Sequence, residues 1–207
     1  NQRFQESARD VLKAYQDSGM RVAFSFSHRD QNHIVYEDDN RFLSTLPKDL
    51  ACKLSNRLSN SKLSPDAYFT IFSDVSHAFS NDTKINVFLS PGNVQWCSDS
   101  LLEQIKSVAK KHNTGIHIHL QETIYQKLYG YKTWGKTPLA HLADINFLGK
   151  ELSCAHGVWV TKSDIDMIAN SGTMVVHNAS SNLRLKSGIA PVNHMMEKAV
   201  IVAIGID

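Results

Sequence analysis

Cysteine is scarce: Cys52, Cys97 and Cys154 are the three in 207 residues, widely spaced and without a C-x-x-C pair. So sparse and odd a set argues against disulfides and thiolate zinc sites, and it suits a reducing, cytoplasmic setting. Runs of like charge are missing as well. Lys and Arg number 22 against 20 Asp and Glu, a formal net charge of +2, and that balance speaks against a nucleic-acid partner. No apolar run approaches the roughly 18 residues that span a bilayer, so no membrane partner is expected. No G-x-G-x-x-G or Walker A pattern follows any strand-like run, which removes the usual nucleotide-binding readings.

What is present is alternation. Hydrophobic residues make up 42% of the chain, enough to bury a core in one or two domains. Phe4, Ala8, Val11, Leu12 and Tyr15 recur at helical spacing and Gly19 supplies a stop. Apolar runs at 20–26, 85–89, 115–120, 152–157, 173–177 and 200–207 read as six strands. Between them, Ser64-Pro65 and Ser98 look like helix N-caps, residues 161–164 resemble a capping box and Gly172 a C-terminal stop. Residues 31–61 read as a long irregular stretch, helical in part around 47–58, with Glu37, Asp38 and Asp39 in a solvated loop. Ile189 to Lys198 reads as a short helix. Repeated βα units predict a parallel sheet, either doubly wound or a barrel.

Three of these runs end on residues able to bind a metal or carry a proton. They are His119 with Glu122, His156, and Asp207. Alternation along a strand aims His117 and His119 the same way, into a barrel, with His119 nearer the mouth. Neutral imidazole is a good ligand for zinc or iron, and a carboxylate beside it can shuttle a proton. His117 is expected to be an interior histidine satisfied by neighbours, and Cys154 a small buried hydrophobe. A two-histidine metal pair at 117 and 119 on a first strand is excluded by counting, because only three more strands follow.

Four segments in this order, G-I-H-I-H-L-Q-E-T (115–123), A-H-G-V-W (155–159), V-V-H-N-A-S-S-N-L-R-L-K-S-G-I-A-P-V (175–192) and A-I-G-I-D (203–207), resemble the amidohydrolase superfamily. The branch they resemble holds the cytosine deaminases, chlorohydrolases and guanine deaminases. The likeness runs from about Gly19 to Asp207 and is most specific from Leu152 onward. It implies an α/β fold, a TIM-type (β/α)8 barrel of which residues 1–207 supply about strands 3 to 8. Such a barrel needs about 250 residues, so the chain is expected to be truncated at both ends.

The resemblance implies one divalent metal, zinc before iron, with His119 and Asp207 as ligands. Catalysis falls to Glu122 as general acid/base, His156 as a contact to the activated water or the substrate, and Asp207 as acceptor of the water's proton. The family's first-strand H-x-H is absent, and His28, His33, His77, His112, His141 and His194 lack its context. Two protein ligands do not complete a catalytic zinc site, so this stretch alone is expected to be inactive and poorly folded.

Substrate contacts are expected from Gln95, Trp96, His156 and Asn182. Trp96 either stacks on a planar heterocycle or packs under the next helix; Trp134 and Trp159 are expected to pack. Asn182 fixes a loop or touches substrate, and Arg184 and Lys186 face solvent. The implied reaction is deamination of a small aminated N-heterocycle of pterin, purine, pyrimidine or triazine type. Two alternatives stay open: release of chloride or an alkylamine from a triazine-like ring, and a metal-free binding or assembly homologue. The full-length protein is expected to be a homo-oligomer. The zinc nucleobase deaminases with P-C-x-x-C are excluded, because that cysteine pair is missing.

Overall fold

Local signals set most element boundaries. Ser64 caps the helix that Pro65 opens, its side chain accepting from the Ala67 amide. Thr161 and Asp164 form a reciprocal capping box, and Gly172, at φ +73°, ends that helix in the left-handed region that costs glycine nothing.

The computed structural model describes residues 2–61 and 63–207. Its strands are β1 (Val22–His28), β2 (Ile85–Pro91), β3 (Ile116–Leu120), β4 (Leu152–His156), β5 (Met174–His177) and β6 (Val202–Ile204). Its helices are α1 (Gln2–Ser18), α2 (Asp39–Leu43), α3 (Lys48–Ser61), α4 (Pro65–Ala78), α5 (Asp99–His112), α6 (Ile124–Trp134), α7 (Pro138–Asp144), α8 (Lys162–Ser171), α9 (Ala179–Arg184) and α10 (Val192–Glu197). A single 3-10 turn, Val94–Trp96, follows β2.

All six strands are parallel and neighbour one another in chain order, β1 through β6. A doubly wound sheet reverses direction from a central strand; a barrel does not. Sequential order therefore settles the choice in favour of the barrel type. Because every strand runs the same way, every strand C-terminus reaches one edge.

The core lies between the sheet and its outer helices. Ile116, Ile118 and Leu120 of β3 are fully buried, as are Leu102 and Ile105 of α5 and Tyr68 and Phe72 of α4. Each such side chain contributes about 1.5–3 kcal/mol. On the opposite face of β3, His117 and His119 are only half-buried.

Residues 31–61 are more ordered than their polarity suggests, since they contain α2 and α3. Of the acidic trio, Glu37 and Asp38 do lie in the loop before α2, with Asp38 exposed, but Asp39 is the first residue of α2. Asp38 caps α2 by accepting from the Arg41 amide, and Asp39 is buried, its carboxylate accepting from His33 Nδ1 (2.7 Å) and the Ile34 amide (3.2 Å). The 200–207 run contributes only Val202–Ile204 to the sheet, and the 189–198 helix shortens to Val192–Glu197.

Candidate metal centre

Three side chains meet at the C-terminal edge of the sheet. His119 is the penultimate residue of β3, His156 ends β4, and Asp207 lies three residues past β6. Asp207 Oδ1 is 4.0 Å from His119 Nε2 and 3.7 Å from His156 Nε2. The two imidazoles lie face to face, centroids 5.4 Å apart and planes 24° from parallel.

Strand register alone would not produce this. His119 pairs with Ala155, while His156 pairs with Leu120, whose side chain points at the helices. Alternation would send His156 the same way. Instead His156 takes φ +74°, a left-handed conformation uncommon outside glycine, which swings its ring toward His119. Gly157 follows at φ +58° and donates its amide to Leu120 O (3.0 Å), tying the turn to β3.

Each imidazole is oriented by a bond at its far nitrogen. His119 Nδ1 lies 2.7 Å from Gly92 O. A carbonyl can only accept, so Nδ1 carries the proton and the Nε2 lone pair faces the cluster. His156 Nδ1 meets Asn182 Oδ1 at 2.8 Å, with the same consequence. Asp207 Oδ2 accepts from Ser181 Oγ (2.5 Å), leaving Oδ1 toward the imidazoles.

This donor set suits a divalent ion. The three ligand atoms lie within 4.8 Å of one another. Two donors on one zinc-sized ion stand at most about 4.2 Å apart, each donor–metal distance being about 2.1 Å; the 3.7 and 4.0 Å spacings fall inside that limit. His156 Nε2 is buried and has no hydrogen-bond partner among the described residues, although buried polar atoms normally find one. Cysteine does not compete. Burial pushes the Cys97 and Cys154 thiols up to about 12, so neither offers a thiolate.

Glu122 lies two residues past β3 and outside the three-atom cluster. Its Oε2 accepts from Gln126 Nε2 (3.4 Å) and its Oε1 from Ser187 Oγ (3.5 Å), both long bonds. Gln95 sits in the 3-10 turn, 1% exposed, with neither side-chain amide atom bonded among the described residues. Trp96 is half-buried, beneath the Arg29 guanidinium (5.3 Å) and edge-on to Tyr36. Asn182 lies not in a loop but in α9, where it holds His156. Trp134 stacks on His141 at 3.9 Å, and Trp159 donates its indole N–H to Ser187 O (2.7 Å). Burial lowers the pKa of His117, and its Nδ1 is paired with Ser153 Oγ at 2.8 Å.

Several contributors carried no distinctive sequence signal. Gly92 supplies the carbonyl that orients His119, and a Cβ there would lie 2.9 Å from Ser27 Oγ. Gly205 lets the chain after β6 pass close to Asn178, whose Oδ1 would be 2.3 Å from a Cβ. Ser181 and Ser187 are ordinary polar residues after a strand, visible only as part of the 175–192 run.

A cavity of about 530 Å³ opens beside Asp207, lined by Ser180, Ser181, Arg184, Leu185 and Ile206. Another of about 460 Å³ lies at the opposite edge, near Asp82 and Asn113, and holds none of these residues. Chemistry in parallel barrels belongs to the C-terminal edge.

Together, sheet order and cluster define a βα-barrel protein with two imidazoles and a carboxylate gathered at its strand ends. The chain belongs to the amidohydrolase family, whose model matches residues 3–207. It is 40% identical over 126 residues to 5'-deoxyadenosine deaminase of Methanosarcina barkeri, covering 61% of this chain and 29% of that one. Across 199 residues it is 29% identical to the Methanobrevibacter smithii 5'-deoxyadenosine deaminase, covering 96% and 40%. A zinc-bound adenosine deaminase from Xanthomonas campestris superposes with a TM-score of 0.77 at 23% identity, over 96% of this chain and 40% of the other. The chain thus spans between 29% and 40% of the length of these relatives. No helix among the described residues is long and apolar enough to cross a membrane.

Proposed function

We propose that this chain carries one half of a metal-dependent deaminase site that hydrolyses the exocyclic amine of an aminated N-heterocycle, an adenine-type purine before other rings. The observation behind this reading is the cluster itself: two imidazole nitrogens and a carboxylate oxygen within 4.8 Å, each side chain hydrogen-bonded on its far side. The preference for an adenine ring rests on relatives that are deaminases of 5'-deoxyadenosine.

His119, Asp207 and His156 would hold or face a divalent ion, zinc before iron. Such an ion supplies a water made acidic enough to be deprotonated near neutral pH, its pKa falling from 15.7 to about 7. Asp207 Oδ1 accepts the proton of the attacking water. His156 Nε2, whose lone pair Asn182 keeps open, fixes that water's direction. Glu122, loosely held by Gln126 and Ser187, is free to carry a proton to the ring nitrogen and then to the departing ammonia. Deamination is favoured over dechlorination because nitrogen needs a proton to leave, whereas chloride does not. Gln95 would meet the ring's polar edge, and Trp96 its face.

We further propose that residues 1–207 form a single barrel portion, in a cytoplasmic protein that assembles as a homo-oligomer. Three unpaired cysteines support the compartment; light scattering tests the assembly. For the activity, full-length protein is assayed for bound metal and for ammonia release from adenosine, 5'-deoxyadenosine and a panel of other aminated heterocycles. About one equivalent of metal and release of ammonia are expected, with Glu122→Gln lowering turnover by about 10²–10⁴-fold. Metal-loaded protein inert on the whole panel would sink the deaminase reading, and protein without tight metal would favour a binding or assembly role.

A further inference from the structure

The segment after β5 touches every candidate catalytic residue of the site. Ser181 donates to Asp207 Oδ2 at 2.5 Å, Asn182 Oδ1 lies 2.8 Å from His156 Nδ1, and Ser187 Oγ lies 3.5 Å from Glu122 Oε1. The first two bonds are short and come from adjacent residues of α9, a helix of six residues. The third is too long to carry weight. Asn182 is 1% exposed and His156 fully buried, so bulk water does not substitute for their bond.

The segment is itself tied down. The Asn182 amide donates to Asn178 O (2.9 Å), the Leu185 amide to Ser181 O (2.9 Å), the Ser187 amide to Asn182 O (2.8 Å), and Trp159 Nε1 to Ser187 O (2.7 Å). Its position is thereby fixed from β5 at one end and from the β4–α8 connection at the other.

We infer that Asn182 and Ser181 are the positioning residues of the site: Asn182 selects the His156 tautomer with its proton on Nδ1 and its lone pair on Nε2, while Ser181 sets which oxygen of Asp207 faces the imidazoles. Neither touches reacting atoms; both act through the residue they hold. Outer hydrogen bonds of this kind set ligand orientation and basicity, and losing one lowers metal affinity about 10–100-fold. The need for a hinge-like bond is acute at His156. Its backbone turns at φ +74°, so strand register does not constrain the ring and a side-chain bond must. The inference takes from the proposed function only that His156 and Asp207 hold or face one divalent ion; it requires no particular substrate.

The test uses full-length protein labelled with ¹⁵N-histidine, freed of metal, at about pH 8.5, where an ordinary histidine of pKa about 6.5 is neutral. Ring ¹⁵N shifts report which nitrogen of His156 bears the proton, with His156→Asn assigning the signal. The expected result is a proton on Nδ1 in the parent protein. Asn182→Leu, which removes the acceptor, should mix or invert the tautomer and weaken zinc binding, measured by chelator competition, 10–100-fold. Asn182→Asp, which keeps an acceptor oxygen, should restore both. Ser181→Ala should weaken zinc binding without moving the His156 tautomer, and Ser181→Thr should recover it.

A parent protein with the His156 proton on Nε2 would overturn the inference. So would a folded Asn182→Leu protein with unchanged tautomer and unchanged zinc affinity. Should Asn182→Leu fail to fold, the parent tautomer and the Asn182→Asp variant still decide. Correct tautomer and zinc affinity with no ammonia release would leave this inference standing and remove the deaminase reading instead.

Discussion

Two aspartates near the same sheet edge, one buried and one exposed, are treated in opposite ways. Asp164, at the start of α8 and 1% exposed, spends both carboxylate oxygens inside the protein. Oδ1 accepts from Thr137 Oγ1 (2.5 Å) and Oδ2 from the Thr161 amide (2.7 Å) and Gln121 Nε2 (3.4 Å). Gln121 carries the network on, donating to Trp159 O and accepting from the Leu139 amide. Asp207 spends one oxygen, on Ser181, and leaves the other facing two imidazoles. Saturation marks a group that holds the fold together, here the β3–α6, α7 and β4–α8 connections. A carboxylate anchored at one oxygen and open at the other is positioned for a ligand.

Substitutions can break or sharpen that contrast. The largest effect is expected from Asp207→Asn: zinc affinity should fall by more than about 100-fold, beyond what loss of an outer partner produces, while the denaturation midpoint shifts by less than about 1 kcal/mol equivalent. If stability dropped instead, the two aspartates would not differ in kind. Asp164→Ala should behave the other way, destabilising by about 3 kcal/mol in denaturant titration, because the half-buried Thr161 amide and the buried Thr137 hydroxyl lose their acceptor. Zinc bound per folded molecule should be unchanged.

Gly205→Ala should be milder, lowering zinc affinity by about tenfold, since a Cβ placed 2.3 Å from Asn178 Oδ1 forces the Asp207-bearing segment aside; unchanged affinity would show that the segment tolerates the shift. The smallest effect concerns His28, stacked on Tyr68 at 4.6 Å. Burial holds its pKa below the ordinary value, with Asp30 opposing and His33 adding to the shift. The unfolded chain takes up a proton near pH 6.5 where the folded chain does not. Stability contributed by neutral His28 is therefore complete above that pH and lost as pH falls below it. A His28→Gln protein should lose part of this acid sensitivity, visible as a flatter midpoint-versus-pH slope between about pH 6.5 and 5.

Much of this arrangement was legible in the residues. Parallel strands packed under helices show as apolar runs, and those at 85–89, 115–120, 152–157 and 173–177 overlap β2 to β5 closely. Caps at Ser64, Ser98 and Thr161 were readable because each requires a small side-chain oxygen at one position. Short polar helices left no such trace. α2 and α9 lack an apolar stripe long enough to register, so Asp39 looked solvated and Asn182 looked like a loop residue. The approach of His156 to His119 was legible only through the family resemblance, because the strand period puts them on opposite faces and a backbone turn reunites them. His119, His156 and Asp207 could be nominated from their positions at strand ends; the bonds that aim them depend on Gly92, Ser181 and Asn182, whose spacing encodes nothing by itself.

The left-handed turn at position 156 also narrows what protein engineers could place there. A replacement must tolerate positive φ as well as offer a polar side-chain atom, and asparagine and aspartate are the residues that join histidine in doing so readily. Exchanging the imidazole for either one keeps the corner intact, whereas a branched side chain would have to unbend it and carry the donor away to the far side of the sheet.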